Sequence, residues 1–226
     1  MQRLRRLLGI LLLIAIAGSV GVVLLFRWVD PPYSAVMLWR YASEGGPQHQ
    51  VWVPLSEIHP GMALAVVAAE DQRFPVHWGF DTDEILAAVQ DHLDGGKLRG
   101  ASTISQQVAR NLFLWQGRSF VRKGLEVYFT GLIEAMWPKQ RILEMYLNFA
   151  ELGERTFGVA AASDHYFDVD PGRLTDRQAA LLAAVLPNPI RYRADRPSDY
   201  VRQRQAWILR QMRNLGGPGY LGEMLD

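Results

Sequence analysis

Apolar positions are spread very unevenly along this chain. Residues 7–26, LLGILLLIAIAGSVGVVLLF, run for twenty positions without a charge. At about 1.5 Å rise per residue, such a run just crosses a bilayer core. A helix in a soluble core would show a polar stripe, and this one has none. A cleavable signal would have a shorter apolar stretch ending in a small-x-small site. Ala15-Ile16-Ala17 has that form, but the run continues through Val20–Phe26, which favours a retained anchor. Arg3, Arg5 and Arg6 precede it, so the positive-inside rule puts the N-terminus in the cytoplasm and the bulk of the chain outside.

Beyond the run the pattern changes. Asp30-Pro31-Pro32 breaks the helix, and residues 31–60 read as a connecting stretch containing Gly45-Gly46-Pro47. Residues 50–55 (QVWVPL) suit a short extended piece, although Pro54 argues against a central strand. From Pro60 the periodicity is helical. Met62–Ala69 is apolar throughout, and Asp83–Leu93 is followed by a Gly95-Gly96 stop. Thr103 and Gln106 form a capping-box pair that opens a helix through about Leu114. Residues 118–137 are the most regular, with Val121, Leu125, Tyr128, Phe129, Leu132, Ile133 and Met136 on one side. Pro138 ends that helix and suits the first position of the next, which carries Ile142, Leu143, Tyr146 and Leu147. Thr175 and Gln178 cap an alanine-leucine helix stopped by Pro187 and Pro189. Ser198 caps a last helix with Val201, Ile208, Met212 and Leu215 inward, closed by Gly216-Gly217. Strand signals are sparse. The expectation is an all-α domain over residues 55–220, behind a cytoplasmic segment (1–6), the span (7–26) and a connecting segment (27–54).

Composition narrows the chemistry. The net charge of +1 gives no global attraction to nucleic acid. There is no cysteine, so disulfides and thiolate metal sites are excluded. The five histidines show neither HxH nor HExxH spacing, which leaves zinc little support.

Four polar clusters interrupt the apolar pattern. Glu70 and Asp71 follow directly on the run 62–69, where desolvation would raise a carboxylate's pKa and make it a better base near neutral pH. Phe74, His77, Trp78 and Gly79 are expected to crowd around that carboxylate; ordinary solvated charges at a helix end are the plainer reading. Residues 99–111 bring Gly100, Ser102, Thr103, Ser105, Gln106 and Gln107 to a helix start, with Arg110 further along. Helix N-termini hold anions well, while capping alone explains Thr103 and Gln106. Arg118, Arg122 and Glu126 are spaced by four and share one stripe, either a solvated salt-bridge ladder or a diphosphate site. Glu144 and Asn148 sit four apart beside core positions, where a structural role leads.

Together the four clusters resemble the peptidoglycan glycosyltransferases of the penicillin-binding-protein type, and most closely the monofunctional biosynthetic transglycosylases. The family pattern Glu-Asp-x-x-Phe-x-x-His-x-Gly is met by Glu70, Asp71, Phe74, His77 and Gly79. Its Gly-x-Ser-Thr-Ile-[Thr/Ser]-Gln-Gln run is met at 100–107, its Arg-Lys-x-x-Glu by Arg122, Lys123 and Glu126, and its Ile-Leu-Glu-x-Tyr-Leu-Asn at 142–148. A further similar stretch covers 158–167. The resemblance spans about residues 55–215.

What the resemblance implies is a lysozyme-like, two-lobed helical fold that polymerises glycan from lipid II. Glu70 matches the family's general base, acting on the 4-hydroxyl of lipid II. That oxygen attacks the anomeric carbon of the lipid-linked growing strand, and undecaprenyl diphosphate leaves with inversion. Glu126 matches the second carboxylate, which assists the leaving diphosphate directly or through a divalent cation (Mg2+ or Mn2+). Arg110, Arg118 and Arg122 fall on cationic diphosphate positions, with Ser102, Gln106 and Gln107 lining the same region. Arg110 departs from the family's more frequent Lys, and Ser105 from a frequent Thr. No transpeptidase domain follows, so peptide crosslinking is not expected. The implied partners are lipid II, the lipid-linked strand, the membrane, and proteins of cell-wall synthesis or division. Phe113, Leu114 and Trp115 suit either core or a membrane-proximal surface. The rivals are a lytic transglycosylase or muramidase, which would not need three arginines at its leaving group, and a non-catalytic membrane-anchored scaffold, which would not need both glutamates.

Overall fold

The computed structural model describes residues 2–46, 48–93, 95, 102–117 and 119–225. The span forms helix α1 (Gln2–Phe26). It is long and apolar enough to cross a membrane and is almost entirely exposed. Helix α2 (Ala35–Glu44) follows, capped by Ser34, whose hydroxyl accepts from the Met37 amide. This helix lies inside the stretch expected to be connecting chain. Its signal is weak because only Val36 and Met37 are buried, while Leu38, Trp39 and Tyr41 are exposed.

The domain is organised around α3 (Pro60–Glu70). Every residue from Gly61 to Ala68 is buried, as expected for a helix that is apolar all round. Pro60 occupies its first turn, and His59 Nδ1 accepts from the Gly61 amide. Helix α4 (Thr82–Leu93) follows, and then α5 (Ile104–Phe113) opens with the expected capping box. Thr103 Oγ1 accepts from the Gln106 amide at 3.2 Å, and Gln106 Oε1 from the Thr103 amide at 3.1 Å. Helix α6 (Phe120–Met136) is capped by Ser119. Helix α7 (Lys139–Phe149) starts one residue later than expected, with Pro138 as its cap. Helices α8 (Val159–Phe167), α9 (Asp176–Val185) and α10 (Asp199–Asn214) complete the bundle. Helices α9 and α10 pack against α3, and α5 packs against α2, α6 and α7.

The fold is mainly helical, with one correction to the all-α expectation. Strands β1 (His49–Gln50), β2 (Glu151–Gly153) and β3 (Thr156–Phe157) form a small mixed sheet in the order β1-β3-β2. Strands this short leave no alternating pattern to read. Asn148 holds the chain beside the sheet: its side-chain amide donates to the Val53 carbonyl, and its oxygen accepts from the Val53 amide, each at 2.9 Å. Glu144 accepts from the Leu55 amide at 3.0 Å. Both residues therefore do structural work, as their setting suggested.

Helix α1 is docked rather than dangling. Trp137 Nε1 donates to the Val23 carbonyl at 2.7 Å, and the hydroxyls of Ser19 and Tyr128 meet at 2.8 Å. Arg141 reaches the carbonyls of Phe26 and Val29 at 3.0 and 3.1 Å. The apolar stripe of α6 faces this junction. Of its seven members only Ile133 is fully buried; Phe129 stacks on Phe113, which stacks on Phe26. Leu114 is core and Trp115 is exposed.

Candidate active site

Glu70 is the last residue of α3 and Asp71 its C-terminal cap. The backbone becomes extended at Asp71, so the two side chains diverge. Asp71 is buried, accepting from His77 Nε2 at 2.9 Å and from the Ile104 amide at 2.9 Å. His77 Nδ1 accepts from the Gly79 amide at 3.1 Å, so the ring proton sits on Nε2 and points at Asp71. Gly79 has φ of 78°, and a Cβ there would come within 2.7 Å of Thr130. Thr103 Oγ1 donates to the Gly79 carbonyl at 2.7 Å. The first motif is thereby laced to the start of α5. This corrects the expected crowd around Glu70: His77 and Gly79 serve Asp71, Phe74 is buried in the core, and Trp78 is 76% exposed.

Glu70 has other neighbours. Gln107 Nε2 donates to its Oε2 and Arg204 Nη2 to its Oε1, each at 3.1 Å. Arg204 Nη2 also reaches the Ala69 carbonyl at 3.3 Å. Gln107 is oriented in turn by the Tyr146 hydroxyl, which donates to its Oε1 at 3.3 Å. Burial raises the Glu70 carboxyl above its ordinary range, against the pull of Gln107, Arg204 and Arg110. The same burial, with the Glu70 charge, pushes the Tyr146 phenol well up. Arg204 is the functional residue the sequence did not announce. A signal existed: position 204 falls in the inward stripe of α10, three after Val201 and four before Ile208. A cation in a core-facing slot calls for a buried anion.

The Glu70–Gln107 hydrogen bond divides two clefts. One, of about 380 Å³, is lined by Glu70, Asp71, Ser102, Thr103 and Trp207 among others. The other, of about 410 Å³, is lined by Gln107, Arg110, Asn111, Gln116, Arg122 and Glu151, with Tyr146 at its side. The first offers four carboxylates (Glu70, Asp71, Asp81 and Glu84), two hydroxyls and the Arg73 guanidinium, and the second two guanidinium groups and the Glu151 carboxylate.

Glu126 lies behind the second cleft rather than in its lining. It is 1% exposed; Arg122 Nη1 pairs with Oε2 at 3.2 Å and Lys123 Nζ with Oε1 at 2.5 Å. The stripe of residues 122 and 126 therefore turns inward and is no solvated ladder. Arg122 Nε is buried without a partner. Gln106 is buried, lines neither cleft, and closes the α5 capping box with its oxygen. Arg118 and Gly100 lie outside the described residues. The sequence also passed over Glu134, a buried carboxylate bonded to Ser105 and paired with Lys139 at 2.8 Å. Among the described residues no three His, Asp or Glu side chains gather to hold a metal ion. With both Glu126 oxygens already paired to cations, the donor set does not fit a cation site formed by the protein alone.

A family model described as Transglycosylase matches residues 39–213. The chain belongs to the transglycosylase family. It is 56% identical over 224 residues to a biosynthetic peptidoglycan transglycosylase of Klebsiella oxytoca, covering 96% of this chain and 92% of that protein. Proteins of the same description from Pseudomonas entomophila and Pseudomonas fluorescens are 53% and 54% identical, covering 98% and 97% of this chain and 95% and 93% of theirs. As a family member the chain is an enzyme, a glycosyltransferase. The matched region begins inside α2, so part of the presumed connecting segment belongs to it.

Proposed function

We propose that this transglycosylase polymerises peptidoglycan glycan from lipid II at the outer face of the cytoplasmic membrane. The observation that carries the reading is the pair of clefts on either side of Glu70–Gln107. A polymerase of lipid-linked sugars needs a base facing one substrate and cations facing the diphosphate of the other, and these groups stand side by side here. The reading includes the lysozyme-like, two-lobed arrangement that the resemblance implies, over about residues 55–220.

In this scheme Glu70 takes the proton from the 4-hydroxyl of lipid II. A carboxylate with a raised pKa is a stronger base while ionised. Gln107 and Arg204 hold its two oxygens in a fixed plane, so the remaining lone pairs face the cleft containing Ser102. The freed oxygen attacks the anomeric carbon of the lipid-linked strand, and undecaprenyl diphosphate departs with inversion. Arg110 and Arg122 stabilise the charge growing on that diphosphate, with Arg118 a third candidate by its sequence position. Glu126 acts through Arg122 and Lys123, fixing their direction, and is a positioning residue.

Helix α1 fits a single inner-membrane span with the N-terminus inside, given Arg3, Arg5 and Arg6 on that side. The full chain incubated with lipid II should yield long uncrosslinked glycan, and with finished peptidoglycan no soluble fragments. Fragments from finished wall would make it a lytic enzyme instead. Inactivity on both substrates would leave a scaffold.

A further inference from the structure

Glu151, the first residue of β2, is not used by the chemistry above, yet it faces the cationic cleft. It lines the cleft of Arg110 and Arg122, and also a neighbouring cleft of about 400 Å³ that holds Trp39, Arg40 and Ile190. Both clefts share Gln116 and Pro189 as well, so they adjoin across Glu151. Arg40 on α2 fixes one Glu151 oxygen, with Nη2 to Oε2 at 3.1 Å, and Glu44 fixes the other arm of Arg40. The second oxygen, Oε1, is buried and has no hydrogen-bond partner. A buried, unpaired carboxylate oxygen is costly unless a ligand satisfies it. Burial raises this carboxyl, against the pull of Arg40 and of the nearby Arg155 backbone amide, which does not reach Oε1 at hydrogen-bonding geometry.

A carboxylate a short way from a diphosphate site has no use for phosphate, which it repels. It accepts hydrogen bonds and donates none while ionised. We propose that Glu151 is a specificity residue, which accepts a hydrogen bond from a hydroxyl or amide N–H of the sugar joined to the diphosphate. Arg40 is its positioning residue. The exposed Trp39 indole, 46% accessible at the rim, offers an apolar face of the kind a pyranose ring can lie on. This inference rests on the proposed use of lipid-linked sugars and assigns part of their recognition to α2 and β2, outside the four motifs.

The test compares two ligands that share a lipid diphosphate and differ in the sugar. Dissociation constants for lipid II and for undecaprenyl diphosphate are measured on the full chain in detergent containing EDTA, for wild type, Glu151→Ala, Glu151→Gln and Arg40→Ala. Glu151→Ala is expected to weaken lipid II about 10-fold or more, as for a lost bond to a charged group, and to leave undecaprenyl diphosphate within about 2-fold. Glu151→Gln, which keeps an acceptor oxygen in the same shape, should fall between wild type and Ala. Arg40→Ala should show the same sugar-dependent loss, more weakly. Equal weakening of both ligands would overturn the proposal, since it would mean a general structural or phosphate role. So would unchanged lipid II binding in Glu151→Ala with a wild-type unfolding midpoint. Wild type that binds both ligands but makes no glycan would sink the proposed function while leaving the sugar comparison readable.

Discussion

At Glu70 one oxygen accepts from a neutral amide, Gln107, and the other from Arg204. At Glu126, behind the second cleft, both oxygens face cations, Arg122 and Lys123. Both carboxylates are drawn away from water, and at Glu70 that burial outweighs the pull of its partners and raises the carboxyl. The difference separates two tasks. A base must be available and must regain a proton easily, so incomplete compensation suits it. A group that aims arginines must stay paired, and two cations keep it so. The neighbouring Asp71, saturated by His77 and the Ile104 amide, shows that adjacency in sequence does not decide which task a carboxylate takes.

The contrast is most sharply broken by making both glutamates neutral. Glu70→Gln should lower kcat for lipid II polymerisation by about 10³-fold, with stability changed by less than about 1 kcal/mol. Its amide keeps the shape, and Arg204 keeps the Ala69 carbonyl. Glu126→Gln should cost about 2–3 kcal/mol of stability, less than a fully buried pair because Lys123 is half exposed. Its activity should fall by about 10- to 100-fold as Arg122 loses its direction. Polymerisation rates and denaturant unfolding check both. If Glu70→Gln destabilised the fold and Glu126→Gln did not, the two tasks would have been assigned the wrong way round.

A smaller effect sharpens the Glu70 side. The enzyme needs Glu70 ionised, so the acid limb of kcat/KM should have its midpoint above the ordinary glutamate value of 4.5. Arg204 pulls that midpoint down, so Arg204→Gln should move the limb further up. Stability runs the opposite way to activity. Above pH 4.5 the unfolded chain has lost a proton that folded Glu70 still holds. The stability of wild type relative to Glu70→Gln should therefore fall as pH rises through that window. An acid limb that ignores Arg204→Gln would remove Glu70 as the titrating base.

Much of this site could be read from the chain because its parts are local. The capping box at Thr103 and Gln106, the apolar run that delivers Glu70, and the i,i+4 pair of Arg122 and Glu126 are each contained within a few residues. What escaped depends on tertiary approach. Arg204 reaches Glu70 from 134 positions away, Arg40 reaches Glu151 from 111, and two-residue strands leave no period to detect. Periodicity also misjudged α6. Its apolar stripe is real but turns toward α1 and buries fully only Ile133, while the polar positions Glu126, Thr130 and Glu134 are buried too.

The smallest predicted effect tests that last correction. Ser19 lies seven residues before the end of α1, about 10 Å along the helix from Phe26. With residues 7–26 in a bilayer, its contact with Tyr128 lies at hydrocarbon depth. A hydrogen bond between helices at that depth contributes only about 0.6 kcal/mol on average. A double-mutant cycle of Ser19→Ala and Tyr128→Phe, read by unfolding in lipid micelles, should return a coupling of about that size. Zero coupling would make α1 a tether whose contact with α6 has no energetic weight. A measurable one would mean that the span and α6 are energetically coupled, so that α1 helps to orient the domain on the membrane. Removing residues 1–29 should then weaken use of bilayer-embedded lipid II more than use of detergent-dispersed lipid II.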